Sequence, residues 1–204
     1  MPEKTTVVMM LRAPIAGEVK TRLAVSVGNE QALCIYRWLV ERQIQEIPDD
    51  WDLVVYYTPA EKRELMEQWL GSSVVLTPQG KGGLGDRLHQ AMETSFSQKR
   101  GKVIIIGGDC PGLTSAVLRD AGESLDAVDV VLGPAVDGGY TLIGMKGFHE
   151  ELFADISWGS ARVLEETIFR LKEGRHRFLV LGELEDVDDE ASWRRAQQRY
   201  SVGL

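Results

Sequence analysis

Short runs of β-branched residues recur along this chain, and segments with helical periodicity separate them. The apolar runs are TTVVMML (5–11), DLVVYY (52–57), SVVLT (73–77), KVIIIG (102–107) and DVVLG (129–133). Several of them are apolar on both faces, as the strands of a buried parallel sheet must be. This alternation of strand and helix predicts an α/β fold with a mostly parallel sheet.

Two of the intervening segments have a clear apolar helical face. In residues 29–47 this face consists of Leu33, Tyr36, Val40 and Ile44. In residues 84–98 it consists of Leu84, Leu88, Ala91, Met92 and Phe96. Both faces are expected to pack on the sheet.

The pattern changes after residue 133. YTLIGMK (140–146) alternates apolar and polar residues after a Gly-Gly turn, which predicts an antiparallel or edge strand. A helix near 160–172, the short strand RFLVLG and a C-terminal helix follow. We interpret the first two thirds as a nucleotide-binding half and the last third as an acceptor-binding half. The 204 residues fit a single three-layer α/β domain spanning 1–204.

Charge and composition limit the possible partners. A net charge of −8, without any run of Lys or Arg longer than two, argues against a nucleic-acid polymer but allows a small anionic ligand. No stretch approaches the roughly 20 apolar residues of a membrane span, and the N-terminal apolar run is too short for a signal peptide, so the cytoplasm is the expected location. Cys34 and Cys110 suggest neither a disulfide framework nor a Cys/His metal site.

The stretch QGKGGLGDRL (79–88) contains the spacing Gly80-x-Gly82-x-x-Gly85. In a dinucleotide-binding turn the first glycine follows the strand at once and the helix begins near the second. Here two residues intervene after the strand and helical periodicity begins only at Leu84, so a dinucleotide site is disfavoured. The alternative is an ordinary strand-to-helix loop, with Asp86 favourably placed at a helix N-terminus.

The loop LRAPIAGEVKTRL (11–23) carries three cations after the first strand: Arg12, Lys20 and Arg22. It lacks the Gly-Lys-Thr of a Walker A loop. Small residues with Lys and Arg nevertheless suit a diphosphate or triphosphate, because backbone groups near Leu11, Arg12 and Ala13 could hold the base while Lys20 and Arg22 neutralise phosphate charge. A solvated basic loop is the alternative.

Carboxylates follow two other segments. In VIIIGGDCPGL (103–113), Asp109 comes just after a buried strand, at the edge where open α/β sheets bind ligands, and it suits Mg²⁺ shared with substrate phosphates. A second set, Asp186, Asp188 and Asp189, precedes a helix in LEDVDDEASW. Asp189 and Glu190 could instead cap that helix.

Two further motifs suit an acceptor. In GPAVDGGYTLIGM (133–145), Asp137 is either an ordinary turn acid or a ligand for a sugar, acceptor or metal. In DISWGS, Ser157 and Trp158 could face the acceptor, or Ser160 could cap a helix while Trp158 packs.

Six motifs together carry a resemblance that covers nearly the whole chain. They are APIAGEVKTRL, QGKGGLGDRL, GGDCPGL, GPAVDGGYTLIGM, ISWGS and DVDDEASW. In this order they resemble a bacterial family of GT-A-like transferases often encoded beside radical-SAM and selenium-domain proteins. That family is similar to the 2-phospho-L-lactate guanylyltransferases and, more remotely, to molybdenum-cofactor and sugar nucleotidyltransferases. The resemblance implies a nucleotide-diphospho-sugar transferase (GT-A-like) fold.

The resemblance also implies roles for particular residues. Asp109 corresponds to the metal-binding aspartate after the central strand, Asp188 to the second ligand of Mg²⁺ or Mn²⁺, and Asp186 to a further partner in that site. Asp189 stands where threonine is usual, which leaves the exact ligand open. The glycine stretch is reassigned to a mononucleotide pocket, whose expected contacts are Gln79, Gly82, Gly83 and Asp86.

Three functions remain open from the sequence: a nucleotidyltransferase, a glycosyltransferase using an NDP-sugar, and a non-catalytic nucleotide-binding protein. Asp109-Cys110-Pro111 stands where a glycosyltransferase of this fold usually has D-x-D, which favours nucleotidyl transfer from an NTP. Lys20, Arg22 and Asp109 are the expected catalytic residues. The small acceptor is expected to contact Asp137, Gly138, Gly139, Tyr140, Ser157 and Trp158.

Overall fold

The computed structural model describes residues 4–200. Its strands are β1 (Thr5–Arg12), β2 (Asp52–Thr58), β3 (Val75–Pro78), β4 (Lys102–Ile106), β5 (Val130–Pro134), β6 (Tyr140–Met145) and β7 (Phe178–Val180). Its helices are α1 (Thr21–Val27), α2 (Asn29–Gln45), α3 (Arg63–Leu70), α4 (Leu84–Ser97), α5 (Ser115–Ser124), α6 (Val163–Glu173) and α7 (Glu190–Arg199). Two 3₁₀ turns lie at Ala60–Lys62 and Glu150–Phe153.

The strands form one mixed sheet in the order β3-β2-β1-β4-β6-β5-β7. β6 is antiparallel to both of its neighbours, β4 and β5, whereas every other neighbouring pair is parallel. The turn Asp137-Gly138-Gly139 reverses the chain between β5 and β6, which is the short connection that antiparallel neighbours permit. The predicted antiparallel strand near 140–146 is confirmed.

Helices cover both faces of the sheet. One apolar cluster packs α2, α3 and α5 on the sheet through residues such as Tyr36, Met66 and Leu118. A second cluster packs α4 and α6 on the opposite face through Met92 and Leu171. The three-layer, mostly parallel α/β fold predicted from the sequence is therefore confirmed, whereas the single domain over 1–204 stays a prediction.

One detail of the predicted helices is wrong. Leu84 was expected on the buried face of its helix, but it is the first residue of α4 and is 50% exposed. The helix predicted near 160–172 is confirmed as α6, which begins at Val163. Before it, the Ser160 hydroxyl accepts a hydrogen bond from the Arg162 backbone N–H, so a short turn precedes the helix.

A third apolar cluster lies beyond the sheet and joins α1, α2 and α7. Its buried members are Leu23, Ile35, Leu39, Val187, Trp193 and Ala196. Because Lys20 and Arg22 flank the start of α1 and DVDD precedes α7, this cluster fixes two of the predicted site segments relative to each other. No helix within residues 4–200 combines the length and apolar character that crossing a membrane requires.

Truncating the Leu39 side chain tests how much this third cluster contributes to the free energy of unfolding. Leu39 is fully buried, so Leu39→Ala should lower the free energy of unfolding by about 3 kcal/mol through lost contacts and a residual cavity. Urea denaturation would measure the loss. Val25→Ala, at an α1 side chain that is 88% exposed, is the matched control and should change stability by less than about 0.5 kcal/mol. Equal losses of unfolding free energy for the two substitutions would contradict the assignment of Leu39 to a stabilising buried cluster.

Candidate active site

A cleft of about 700 Å³ opens where the parallel strands end. β1, β4 and β5 deliver their carboxyl ends to this edge, and the antiparallel β6 begins there. The predicted site residues that line the cleft are Arg12, Lys20, Arg22, Asp109, Asp137, Gly139, Tyr140, Trp158, Asp186 and Asp188. Residues up to 176 positions apart in sequence are thus brought to one cavity, from Arg12 to Asp188.

Lys20 lies between two of the predicted carboxylates. Its Nζ is 2.8 Å from Asp109 Oδ2 and 3.1 Å from Asp188 Oδ1, while its side chain is only 7% exposed. Burial favours the neutral amine, but attraction to Asp109 and Asp188 outweighs that effect and raises the pKa of Lys20 above its ordinary value. The lysine is therefore a cation. Its Nζ bridges the two carboxylates, since one oxygen of each lies within hydrogen-bond distance of it.

Backbone contacts hold this arrangement in place. Lys20 precedes α1 in the left-handed conformation, with φ of 47°. The Asp109 carbonyl accepts a 2.9 Å hydrogen bond from Val187 N–H, which joins the loop after β4 to the DVDD segment. Arg22 contacts Asp188 Oδ2 at 3.1 Å from the solvent side.

Asp189 is a helix cap. Its Oδ1 accepts a 2.8 Å hydrogen bond from Ser192 N–H at the start of α7. The capping interpretation of Asp189 is therefore confirmed, and the helix begins at Glu190. Capping directs Asp189 away from the cleft that Asp186 and Asp188 line.

Asp186 is the carboxyl group whose environment is most unusual. Its Oδ1 is buried and has no hydrogen-bond partner among the described residues. Burial, followed by repulsion from Asp109, raises the pKa of Asp186 to about 8, although Lys20 opposes the shift. Asp186 therefore keeps its proton to a higher pH than an ordinary aspartate does.

The other side of the cleft is formed by the turn before β6 and the segment before α6. Tyr140 and Trp158 meet edge to face, with ring centroids 6.2 Å apart. Gly138 has φ of 89°, and a Cβ there would overlap the backbone of Ala161, so the turn is fixed against that segment. Asp137 Oδ1 accepts a 2.9 Å hydrogen bond from Gly139 N–H, as in an ordinary aspartate turn.

Several predicted site residues lie outside the cleft lining. Leu11 and Ala13 are buried, each 2% exposed. The Gln79 side chain donates hydrogen bonds to the carbonyl oxygens of Leu11, at 3.0 Å, and Tyr56, at 2.9 Å. Gln79 thereby ties together the ends of β1 and β2, and both N–H groups of its side-chain amide are already engaged. Ser157 is engaged by Glu166, which accepts hydrogen bonds from its backbone N–H and its hydroxyl.

The glycine stretch has structural explanations of its own. Gly83 N–H donates a 2.8 Å hydrogen bond to Asp86 Oδ2, so the amide expected to contact a nucleotide serves the start of α4. Gly82 has φ of 97°, and a Cβ there would overlap the Asp86 side chain. At Gly85 a Cβ would overlap the indole of Trp158. The interpretation as a strand-to-helix loop with a helix-capping acid explains these glycines.

Other residues of the cleft were missed by sequence reasoning. Leu84, Leu88 and Tyr36 line it, although helical periodicity had assigned all three to the core. The Tyr36 hydroxyl accepts a hydrogen bond from Arg12 N–H and donates one to its carbonyl, at 3.1 and 2.9 Å, and so fixes the start of the cationic loop. Such roles depend on where a helix ends relative to the sheet, which periodicity does not encode.

Cys110 lies beside this site but is buried. Burial, followed by repulsion from Asp186, raises the pKa of its thiol. The thiolate needed for nucleophilic attack is therefore disfavoured.

Comparison with family models adds a direct assignment. Residues 43–160 match a family described as "Uncharacterized protein conserved in bacteria (DUF2064)". The chain belongs to this family. The matched region includes the glycine stretch, Asp109 and the turn before β6. No curated protein matches the chain.

Solved structures agree with the fold. A protein from Desulfovibrio desulfuricans G20, provisionally described as a nucleotide-diphospho-sugar transferase, is 30% identical, with a TM-score of 0.93 over 98% of this chain and 89% of that one. A CMP:2-keto-3-deoxy-manno-octonic acid synthetase complexed with CTP is 12% identical, with a TM-score of 0.57 over 96% and 98%. Rv0371c of Mycobacterium tuberculosis H37Rv, in complex with manganese, is 18% identical, with a TM-score of 0.52 over 98% and 100%. The chain therefore has the nucleotide-diphospho-sugar transferase fold.

The perturbed carboxyl of Asp186 predicts a pH dependence of stability. Its pKa rises from an ordinary value of 3.8 to about 8 on folding, so the native state holds a proton that the unfolded state releases. Stability should therefore fall as pH rises between these values. Urea denaturation in EDTA from pH 5 to 8.5 should give a flatter profile for Asp186→Asn than for the parent. If stability depended on pH with the same slope in the parent and in Asp186→Asn, the raised pKa of Asp186 would be contradicted.

Proposed function

We propose that this protein is a divalent-cation-dependent transferase that moves a nucleotidyl group from a nucleoside triphosphate to a small anionic acceptor. The observation that best supports it is the contact of Lys20 with both Asp109 and Asp188 inside one cleft. A phosphate chain bound there would meet a buried cation and two carboxylates able to share a metal ion. The guanylyltransferase likeness of the sequence, which bears on the base, stays a prediction.

The cationic side of the cleft suits a triphosphate. Lys20, Arg12 and Arg22 all line it and lie between the last residue of β1 and the first turn of α1. Arg22 is 78% exposed at its side chain, so it can turn toward a ligand at little cost, whereas Lys20 is fixed by its partners. In our proposal these cations stabilise the charge that develops on the leaving pyrophosphate.

The acidic side suits Mg²⁺ or Mn²⁺. Asp109 and Asp188 already converge on one cation, and Asp186 offers a buried oxygen that no other described group uses. Carboxylate oxygens are the ligands that these hard cations prefer. A bound divalent cation would neutralise charge on the transferring phosphate. Asp109 and Asp188 would hold it, and Lys20 would then be free to contact phosphate oxygens.

The acceptor would occupy the opposite side of the cleft. Asp137 and Tyr140 lie after β5 and at the start of β6, and the indole of Trp158 adds an apolar surface beside them. In this arrangement the acceptor lies across from the cationic loop, and its nucleophilic oxygen can approach the α-phosphorus from the side away from pyrophosphate. Orienting the acceptor oxygen and the α-phosphorus in this way supplies much of the rate enhancement in phosphoryl transfer.

One observation favours a second function, transfer of a sugar from an NDP-sugar. The Desulfovibrio protein that is 30% identical has a description of that kind. Glycosyl transfer needs the same metal and phosphate contacts, but the leaving group is a nucleoside diphosphate. Asp109-Cys110-Pro111 in place of D-x-D favours nucleotidyl transfer in this chain.

The reaction can be tested with each NTP, Mg²⁺ or Mn²⁺ and a pool of small phosphorylated metabolites. Pyrophosphate release is the expected result. Asp109→Asn should abolish it together with metal-dependent nucleotide binding, while the fold survives because the Val187 contact uses the Asp109 backbone. Asp120→Asn, at an exposed residue of α5, is the control that should stay active.

The remaining outcomes discriminate the alternatives. Release of NDP from an NDP-sugar, without pyrophosphate from any NTP, would identify a glycosyltransferase. Metal-dependent nucleotide binding without turnover of any donor would indicate a binding protein. Absence of nucleotide binding would refute all three.

Lys20→Ala should separate catalysis from binding. Because Lys20 would stabilise charge that builds only in the transition state, its loss should lower kcat by about 100-fold and weaken nucleotide binding much less. Steady-state kinetics and calorimetric titration measure the two effects. Lys172→Ala, at an exposed lysine near the end of α6 and outside the cleft lining, should alter neither. A matched loss of binding and kcat would assign Lys20 to ground-state binding instead.

A further inference from the structure

Two histidines and a glutamate come together at the edge of the sheet opposite the cleft. His149 and Glu151 follow β6, and His176 lies between α6 and β7. One ligand atom from each residue lies within 4.8 Å of the other two. β6 starts at the cleft with Tyr140, and at about 3.3 Å per residue its length separates this cluster from the active-site candidates. The cluster is thus a separate feature of the molecule.

The three side chains converge on one carboxylate oxygen. His176 Nε2 lies 2.6 Å from Glu151 Oε1, and His149 Nδ1 lies 3.9 Å from the same atom. The two imidazole rings are 4.2 Å apart between centroids and tilted by 55°. In a tetrahedral zinc site with bonds near 2.1 Å, ligand atoms are on the order of 3.3 Å apart. Rearrangements of about an ångström would bring the three atoms to that spacing.

The surroundings suit a cation rather than two protonated histidines. The side chains of His149 and His176 are 22% and 16% exposed, whereas that of Glu151 is 50% exposed. Burial, followed by repulsion from His176, lowers the pKa of His149. The neutral imidazole that results carries the lone pair that a metal needs.

A hydrogen bond between His176 and Glu151 is the simpler explanation of the cluster. It accounts for one imidazole, and it would fix the Glu150–Phe153 turn to the segment before β7. It gives no role to His149, whose ring packs against the other histidine and whose Nδ1, 3.9 Å from Glu151 Oε1, is too far away for a hydrogen bond. A shared cation uses all three side chains.

We propose that His149, Glu151 and His176 bind a Zn²⁺ ion, with water completing the coordination on the exposed side. Two imidazole nitrogens and one carboxylate oxygen are a ligand set typical of zinc. The ion would clamp the Glu150–Phe153 turn to the connection between α6 and β7, two segments that are 25 residues apart at Glu151 and His176. It would act on stability, remote from the cleft.

The test uses full-length protein stripped of metal and carrying Asp109→Asn, so that the cleft carboxylates do not complicate the stoichiometry. Calorimetric titration with Zn²⁺ should show one equivalent bound, and saturating Zn²⁺ should raise Tm by several degrees, because a ligand of the native state stabilises it. Adding His176→Gln or His149→Gln should weaken binding by at least about 10-fold and remove the Tm shift. Circular dichroism without metal would establish that these variants fold.

His89→Gln is the matched control. His89 is the third histidine of the chain; it packs edge to face on Phe148 and Phe153, near the cluster but outside it, so its loss should leave Zn²⁺ binding unchanged. If a histidine variant does not fold, Glu151→Gln gives the same readout, and Co²⁺ absorption would report loss of the mixed nitrogen and oxygen ligands. Absence of saturable Zn²⁺ binding, or equal binding with and without His149 and His176, would leave the cluster as a hydrogen-bonded pair and overturn the proposal.

Discussion

The placement of a buried ammonium between two carboxylates is the interaction on which the candidate site depends. Lys20 reaches Asp109 and Asp188 from a loop after β1, and these partners come from the loop after β4 and the segment before α7. Breaking such a pair by removing one partner usually costs more than the pair contributes, because the other charge is left in a poorly solvated position. A set of charges of this kind is therefore weak evidence for stability. Under the proposed function it would be a preorganised electrostatic environment of the kind that stabilises charge in phosphate chemistry.

The antiparallel strand gives the cleft its second side. A purely parallel sheet would return β6 through a long crossover, whereas the tight Asp137-Gly138-Gly139 turn sends the chain straight back beside β4. Tyr140 therefore begins its strand at the edge where Asp109 follows the end of β4, and the two halves of the sequence face each other across the cavity. The nucleotide-binding half and the acceptor-binding half inferred from the sequence share one continuous sheet.

The edge at which the candidate site residues gather was predictable because the physical rule is simple. Carboxyl ends of parallel strands meet at one edge, so the polar residues after TTVVMML and KVIIIG had to lie at the same edge of the sheet. The order of the strands did not follow from this rule. Hydrogen bonding of individual side chains was not predictable. Gln79 serves two backbone carbonyls, contacts set by tertiary geometry that no spacing in the sequence reveals. The contact of Gly83 with Asp86 differs, because it has the three-residue spacing of a helix cap. Leu84 shows a further limit, since helical periodicity assigns a residue to a face but does not say whether a neighbour covers the first residue of the helix. The histidine cluster likewise joins segments with no shared motif.

The apolar cluster of α1, α2 and α7 has a consequence for motion. Leu23 and Trp193 are buried in the same apolar cluster. The cluster therefore holds α1, which follows Lys20, and α7, which follows Asp188, together as one unit. Movement of one of these helices alone would therefore not draw Lys20 away from Asp188. The segment around Trp158 belongs to a different packed unit, since its indole stacks on Phe153 and meets Tyr140 in the cluster under α4 and α6. A change in the width of the cleft would then require relative displacement of two packed units, not the swing of a single helix.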